Sequence, residues 1–405
     1  MANALLTPSM IAKEALVHLK NNLVFGRNVH RDYKKEFAKV GDTVSIRRPV
    51  KFTATTGATR SNQDITEGST SITVGTQKHV SWSYTAADMT LSIEEVAKRY
   101  IEPAMITLAN DVDQSLASLY KDVWNYVGTP GQTINSFADY SKGPQRLDEM
   151  AVMSDRRVGM LSPADNYAML ATQTALQPDR LAVGAYEAAS LGRVANTQAY
   201  SSQNVQTHTV GAHGGTPLVN GGSQNDTYAA TKTTNESSLI TDGWTTSTAV
   251  LAQGDVFTIA NVYAVNPVTK AVMPYLQQFT CKAAGTSDGS GNLTLTVSPA
   301  IISSGAYQTV SATPADNAAI TVLGTASTGY AQNMIYHPDA FALVMCPLEP
   351  PIGGAEAATE TMDGFSARVV RDYDIAEDNN IIRLDILYGV KAIYPDLAAR
   401  INGTA

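Results

Sequence analysis

Cysteine is nearly absent from this chain of 405 residues, which holds only Cys281 and Cys346. Two isolated thiols fit neither a zinc spacing nor a disulfide framework, so both read as small core residues in a reducing compartment. Charge is scarce too. Lys, Arg, Asp and Glu make up 16% of the sequence, while hydrophobic residues stand at an ordinary 44%. About a quarter of a soluble chain is normally charged. Uncharged polar residues fill the gap, and such a surface is buried against other copies at less desolvation cost than a charged one. Long apolar runs are missing as well. The longest, Ala340 to Cys346, has seven residues, whereas a bilayer span needs roughly 18 or more. No membrane partner is expected. Met1 to Leu6 shows no basic stretch leading into an apolar one, so no signal peptide is expected either.

Chemical fingerprints are equally thin. There is no Gly-x-x-x-x-Gly-Lys-Ser/Thr and no Gly-x-Gly-x-x-Gly after a strand, the patterns whose backbone would cradle phosphates. His213-Gly214-Gly215 has the look of an esterase oxyanion loop, but no Gly-x-Ser-x-Gly elbow accompanies it. His208 and His213 lack a third ligand at metal spacing and read as loop histidines. Asp111 and Asp113, two apart on a predicted helix, fall on different faces and suit hydrogen bonds or ion pairs better than paired acid and base. Lys51 and Lys78 read as solvated or interface lysines rather than partners in a covalent cross-link. No catalytic, cofactor-binding or metal-ligating residue is expected, and the chain does not read as an enzyme.

What is present is uneven. The formal net charge of -8 hides a division, because residues 1 to 60 carry 11 basic and four acidic residues, a net of +7, leaving -15 on the other 345. A basic segment on an acidic body attracts polyanions or pairs with acidic surface on another copy. Arg27, Arg31, Lys34 and Lys35 are the centre of that basic arm.

Hydrophobic periodicity divides the chain further. Thr7-Pro8 sets a capping hydroxyl before a proline suited to the first helical position, predicting a helix to about Lys20. From Gly41 the period becomes two, and the strand-like stretches at Val44 to Arg48 and Val74 to Tyr84 flank a Thr, Ser and Gly-rich segment. Together they predict a long two-stranded hairpin with a flexible tip, bearing Arg47, Arg48, Lys51, Arg60 and Lys78. An isolated hairpin is marginal in water, so one that projects needs a surface on another subunit. Ser92 to Val127 follows the i, i+3, i+4 rule throughout; Pro103 breaks it, leaving a predicted main helix of about 24 residues, some 36 Å long.

Residues 141 to 200 alternate between helix and strand, with Pro144 to Met153 helical, Val158 to Leu161 a strand, and Ser162-Pro163 opening another helix. Composition then shifts. Only nine of residues 201 to 330 are charged, against 22 Thr and 13 Gly. Strand-like runs recur at Ala249 to Leu251, Val256 to Ala264, Tyr275 to Lys282, Asn292 to Val297, Tyr307 to Val310 and Ile320 to Leu323, separated by Gly-rich turns. These predict a small all-β barrel or sandwich inserted at about 220 to 331 within a mixed host domain. Ile381 to Val390 closes the chain as a strand with Ile382, Leu384, Ile386 and Tyr388 on one face.

Several blocks in this order resemble one family. They are Leu6-Thr7-Pro8-Ser9-Met10-Ile11-Ala12-Lys13-Glu14-Ala15-Leu16, Asn21-Asn22-Leu23-Val24, Asn28-Val29-His30-Arg31-Asp32-Tyr33 and Lys39-Val40-Gly41-Asp42-Thr43-Val44-Ser45-Ile46-Arg47-Arg48-Pro49. Gly254-Asp255-Val256-Phe257-Thr258-Ile259-Ala260-Asn261-Val262-Tyr263 and Leu387-Tyr388-Gly389-Val390 follow further on. The chain resembles, over essentially its whole length, the tailed-phage major capsid proteins of the Hong Kong 97 fold, in particular the phage P22 type coat proteins with an insertion domain.

The resemblance implies an α+β capsid fold: an N-terminal arm (1–40), an E-loop hairpin (41–85), a P-domain with its spine helix (86–140), an A-domain (141–219), an inserted β-barrel (220–331) and a return to the A- and P-domains (332–405). It implies a structural protein that forms hexamers and pentamers of an icosahedral shell around double-stranded DNA, through a procapsid that expands. Assembly in the host bacterial cytoplasm with a scaffolding protein and a portal protein goes with it, as does an interior-facing arm. No cofactor is implied. A rival of another class is a hydrolase or carbohydrate-binding protein whose β insertion is the binding module, which requires a deep pocket with convergent polar groups.

Overall fold

The arm begins as its sequence predicts. In the computed structural model, which describes residues 7–33, 41–60, 62–85, 97–173, 189–351, 355–375 and 379–404, a helix runs from Pro8 to Asn22. Thr7 is extended at the cap (φ -77, ψ 146), although its hydroxyl makes no capping bond. The helix passes the predicted end at Lys20 by two residues, and the Asn22 side chain donates back to the His18 carbonyl at 2.8 Å. Ile11, Ala12, Ala15, Leu16 and Leu19 form its buried stripe, which packs on the spine helix and on the strands Glu356–Met362 and Phe365–Asp374.

The spine is shorter than its periodicity suggests. A π-turn at Ala97–Ile101 leads into an α-helix at Glu102–Ala117 and a 3-10 turn at Ser118–Asp122. Pro103 is the second residue of the α-helix and directly follows the π-turn, so the break in regular α-helix falls where the proline predicts it. At the other end Tyr120, Val123 and Tyr126 continue the apolar pattern but are buried elsewhere. Tyr126–Val127 is a short strand parallel to Arg400 and Ile401.

The two helices Pro8–Asn22 and Glu102–Ala117 belong to one of two compact units, made of residues 1–45, 71–117 and 341–391. Its sheet is built on the strand Asn379–Ala392, which pairs with Phe365–Asp374 on one edge and with Thr76–Thr85 on the other. The second pairing corrects the predicted hairpin. Thr43–Arg47 pairs with Ser69–Thr73, while Thr76–Thr85 runs antiparallel to Asn379–Ala392, Trp82 opposite Ile382 and Thr76 opposite Tyr388. A ten-residue two-stranded ribbon is marginal alone, and the edge of a larger sheet satisfies the same backbone groups with more burial.

The other unit comprises residues 46–70, 118–340 and 392–405. One of its sheets runs in the order Tyr126–Val127, Ala398–Ile401, Asn333–Tyr336, Arg157–Leu161, Thr197–Ser201, Arg193–Val194. Helices Phe137–Glu149 and Pro163–Gln173 accompany it, with Tyr140, Leu147, Leu161, Met169, Ile335 and Ile401 in a common core. The predicted cap at Ser162 is present, its hydroxyl accepting from Asp165 N at 3.2 Å. Most of the ambiguous stretch from Arg180 to Gly192 lies outside the described residues.

The second sheet has the order Ile320–Val322, Val256–Val265, Val272–Cys281, Leu293–Ser298, Ser237–Trp244, Gly215–Val219. Its two ends meet, because Leu218 bridges Ala319 and Val219 N donates to the Ala318 carbonyl at 3.0 Å. Leu239, Phe257, Ile259, Phe279, Cys281 and Val297 are all buried in its core. Two of its strands, Gly215–Val219 and Ser237–Trp244, escape sequence reading. In the latter the inward positions include Ser237 and Thr241 and an outward one is Ile240, so the alternation is not hydrophobic. The predicted run at Tyr307 to Val310 forms no strand and contributes a bridge between Val310 and Ala264.

Candidate assembly surfaces

The hairpin strands Thr43–Arg47 and Ser69–Thr73 are pinned by side chains. Thr43 and Thr73 hydroxyls lie 2.7 Å apart. Arg47, highly exposed, pairs with Glu67 across the hairpin at 3.2 Å, a bond that solvent screening keeps weak. Arg48 is half-buried, its N–H donating to the Gly68 carbonyl at 2.8 Å. Beyond the strands, Gln63 ties the two arms by accepting from Thr53 N at 3.0 Å and donating to the Thr53 carbonyl. Lys51 and Arg60 are exposed, as are Phe52 (60%) and Ile65 (67%). Apolar side chains displayed on a polar loop are the kind of surface that a partner covers.

Lys78 stands apart from that group. It lies on Thr76–Thr85, in the sheet, and its ammonium pairs with Asp111 of the spine helix at 3.2 Å. Asp111 also accepts from Tyr388 Oη at 2.8 Å. Asp113, on another face of the helix, is buried and accepts from the backbone N–H groups of Val24, Phe25 and Gly26 at 2.7, 3.2 and 2.9 Å. Burial pushes its carboxyl above the usual range, and the three N–H donors oppose that shift. Both aspartates therefore tie the spine to neighbours, as their spacing suggests.

In the arm, Arg27 is exposed. Arg31 is already engaged: its guanidinium lies 4.7 Å from the Phe365 ring centre and donates to the Asp363 carbonyl at 3.2 Å. Burial lowers its pKa from the ordinary value while Asp363 opposes the shift. Lys20 pairs with the Asp363 carboxylate. Lys34 and Lys35 lie outside the described residues.

Sequence reasoning missed a buried polar junction. Arg400 is 1% exposed; it donates to the Gly254 carbonyl at 2.9 Å and lies over the Tyr120 ring at 5.1 Å. Burial pushes its guanidinium down to about 10. His208, read from sequence as a loop histidine, is instead on the strand Thr207–Thr209 and 6% exposed. Its ring joins Tyr120 Oη at 2.9 Å and Asp255 Oδ1 at 2.7 Å, and Asp255 Oδ2 accepts from Ala252 N and Gly211 N. No sequence pattern announces it, because residues 120, 208, 255 and 400 meet only in space. His213 bonds the Gly324 carbonyl at 3.2 Å.

The junction borders a cavity of about 10 Å³ lined by Tyr126, His208, Asp255 and Arg400 among others, room for a single water. It cannot admit a sugar or an ester. Among the described residues no group of three or more His, Cys, Asp or Glu is placed to hold a metal ion. Cys281 and Cys346 are both buried and outside any disulfide, and burial pushes the Cys281 thiol up to about 11.

Residues 1–402 match the family described as P22 coat protein - gene protein 5. A curated relative, the major capsid protein of Acyrthosiphon pisum secondary endosymbiont phage 1, is 22% identical over 383 residues, 90% of each chain. Similar solved structures include one from Mycobacterium phage Che8 (13% identity, TM-score 0.47, 94% of this chain and 92% of that one) and the capsid of Ralstonia phage GP4 (9%, 0.44, 91% and 85%). The CUS-3 coat protein I-domain is 27% identical and spans 28% of this chain and 98% of its own, with a TM-score of 0.21.

Proposed function

The chain belongs to the P22 coat protein family and is a phage major capsid protein; from that premise we propose that its shell is icosahedral and assembles as a procapsid that later expands. The family match over residues 1–402 carries the reading. The hydrolase or carbohydrate-binding alternative finds no support in these relatives.

Subdomains follow on the same footing. Residues 1–40 are the N-terminal arm, the hairpin is the E-loop, the spine helix and the sheet on Asn379–Ala392 are the P-domain, and the host sheet with its two helices is the A-domain. The ring-closed sheet of Gly215–Val219 to Ile320–Val322 is the inserted barrel. The pairing of Thr76–Thr85 with Asn379–Ala392 supports counting that strand with the P-domain rather than with the E-loop. Hexamers and pentamers form by contact of the E-loop with a second copy, through Arg47, Arg48, Lys51, Arg60, Phe52 and Ile65; Lys78, paired with Asp111, serves the subunit itself. Arg27, with Lys34 and Lys35, faces the interior, where double-stranded DNA or a scaffolding protein meets it, and a portal protein occupies one vertex. The host bacterial cytoplasm is where assembly takes place.

The test is expression of the chain, alone and with the scaffolding protein of its own phage, followed by electron microscopy of the particles. Closed shells with Arg27 on the inner surface are expected, and Arg47→Ala with Arg48→Ala lowers shell yield at least tenfold without changing subunit folding. Monomers under every condition, or Arg27 on the outer face, would refute the corresponding part.

A further inference from the structure

Both arms of the hairpin meet one pair of tyrosines. Tyr228 and Tyr307 stack with ring centres 3.4 Å apart and planes 4° from parallel. Tyr307 Oη accepts from Lys51 N at 3.1 Å and donates to the Thr66 carbonyl at 3.4 Å, so one hydroxyl bonds the outgoing and the returning arm. The Gly68 N–H bonds the Tyr228 hydroxyl. A Cβ on Gly68 would lie 2.6 Å from that hydroxyl and 2.4 Å from the Lys232 carbonyl, so the hairpin passes the pair at a distance only glycine permits.

The tyrosines stand on a fixed base. Ser303 N donates to Asn225 Oδ1 at 3.0 Å and Asp226 N to the Ile301 carbonyl at 2.8 Å, tying the segment before Tyr228 to the segment before Tyr307. Lys270 Nζ donates to the Ala306 carbonyl at 2.6 Å, and Thr309 Oγ1 to the Ala300 carbonyl at 2.6 Å, holding the Tyr307 loop from both sides. Backbone and side-chain bonds on each flank give two aromatic rings little freedom. Two strands of a hairpin, by contrast, have no intrinsic preference for a direction beyond their own twist.

We propose that Tyr228 and Tyr307 are positioning residues for assembly: they fix the direction in which the hairpin arms run on past the stacked pair, so that Phe52, Arg60 and Ile65 reach a second copy at a defined angle. The inference rests on the reading of the hairpin as the assembly loop. It assigns to the insertion a part in setting the geometry of the contact, separate from any part in subunit stability. A shell closes only if neighbouring subunits keep to a few defined angles, and a loop free to swing yields a spread of curvatures.

Tyr307→Ala and Tyr228→Ala, with Tyr307→Phe and Gly68→Ala, test it. The readouts are the distribution of particle diameters, the rate of tryptic cleavage after Arg60 in the unassembled subunit, and the unfolding midpoint followed by tryptophan fluorescence. Tyr307→Ala is expected to broaden the diameters, lower closed shells at least fivefold and speed cleavage after Arg60 at least fivefold, with Tyr307→Phe between it and the native chain. Gly68→Ala reproduces these effects from the hairpin side with the unfolding midpoint unmoved, which separates positioning from loss of folding. Native diameters and native cleavage in Gly68→Ala and both Ala variants overturn the proposal, provided that the Arg47, Arg48 double variant still blocks assembly. If that double variant assembles normally, the hairpin is not the assembly loop and the positioning role falls with it.

Discussion

Asp385 shows how much a single side chain holds in place. It is fully buried on the strand Asn379–Ala392, where Arg368 reaches it at 2.7 Å, Arg383 at 2.8 Å and the Gln77 amide at 3.2 Å. Burial pushes its carboxyl up, but the hydrogen bonds and charges of the two arginines outweigh that and hold it below the usual range. Because the folded value is depressed, its stabilisation is complete above the ordinary carboxylate pKa of about 3.9 and is lost as pH falls through the lower folded value. Asp385→Asn is therefore expected to cost about 2–3 kcal/mol at pH 7 by leaving two cations without their anion. Urea midpoints measured at pH 7 and again near pH 2 check this, and the difference between native and variant shrinks at the lower pH. A difference that is constant with pH would show that the charge is not what matters. Asp113 runs the other way: its raised carboxyl makes stability greatest in the protonated range and lower as pH rises through the folded value.

Among the elements, the strand Asn379–Ala392 organises the first unit, and its middle is crossed closely by the end of the hairpin. A Cβ on Gly389 would lie 2.4 Å from the Thr73 carbonyl oxygen and 3.1 Å from its carbon, both backbone atoms that cannot swing aside. Gly389→Ala is expected to lower the stability of the subunit by about 1–3 kcal/mol through overpacking, read as a drop in the urea midpoint. An unchanged midpoint would mean that the hairpin base gives way without cost. The alternation of Ile382, Leu384, Ile386 and Tyr388 foretells one buried face, yet Asp385 and Leu387 on the other are equally buried. Local pattern reports one face of a strand; what covers the second is decided by chain far away. The spine helix teaches the same point, since its 3.6-residue periodicity continues past Ala117 while the backbone does not.

At the scale of the molecule, the nearly uncharged middle of the chain is its most self-contained part. The core from Val219 to Ile320 is enclosed by its own six strands, and the first and last of these meet. A fragment spanning residues 214–331 is expected to fold alone and to unfold cooperatively, followed by Trp244, its single tryptophan. A broad, non-cooperative transition would show instead that the surrounding chain, with Arg400 on Gly254 and Lys282 paired to Asp122, is needed to close it.

The sequence by itself determined the two buried cysteines outside any disulfide, the helix started by Pro8, most strands of the sheet between Gly215 and Val322 and the order of blocks that marks the family, because these depend on periodicity and on residues adjacent in the chain. It also determined that 29 basic and 37 acidic residues are unequally shared. Only the tertiary structure decided that Thr76–Thr85 leaves the hairpin for the strand Asn379–Ala392, that Lys78 pairs with Asp111 and Arg31 lies on Phe365, and that His208, Asp255 and Arg400 share one junction. Strand pairing, ion pairing and burial of charge are settled by which distant segments compete for the same hydrogen bonds and the same apolar cover. That competition has no signature in local sequence.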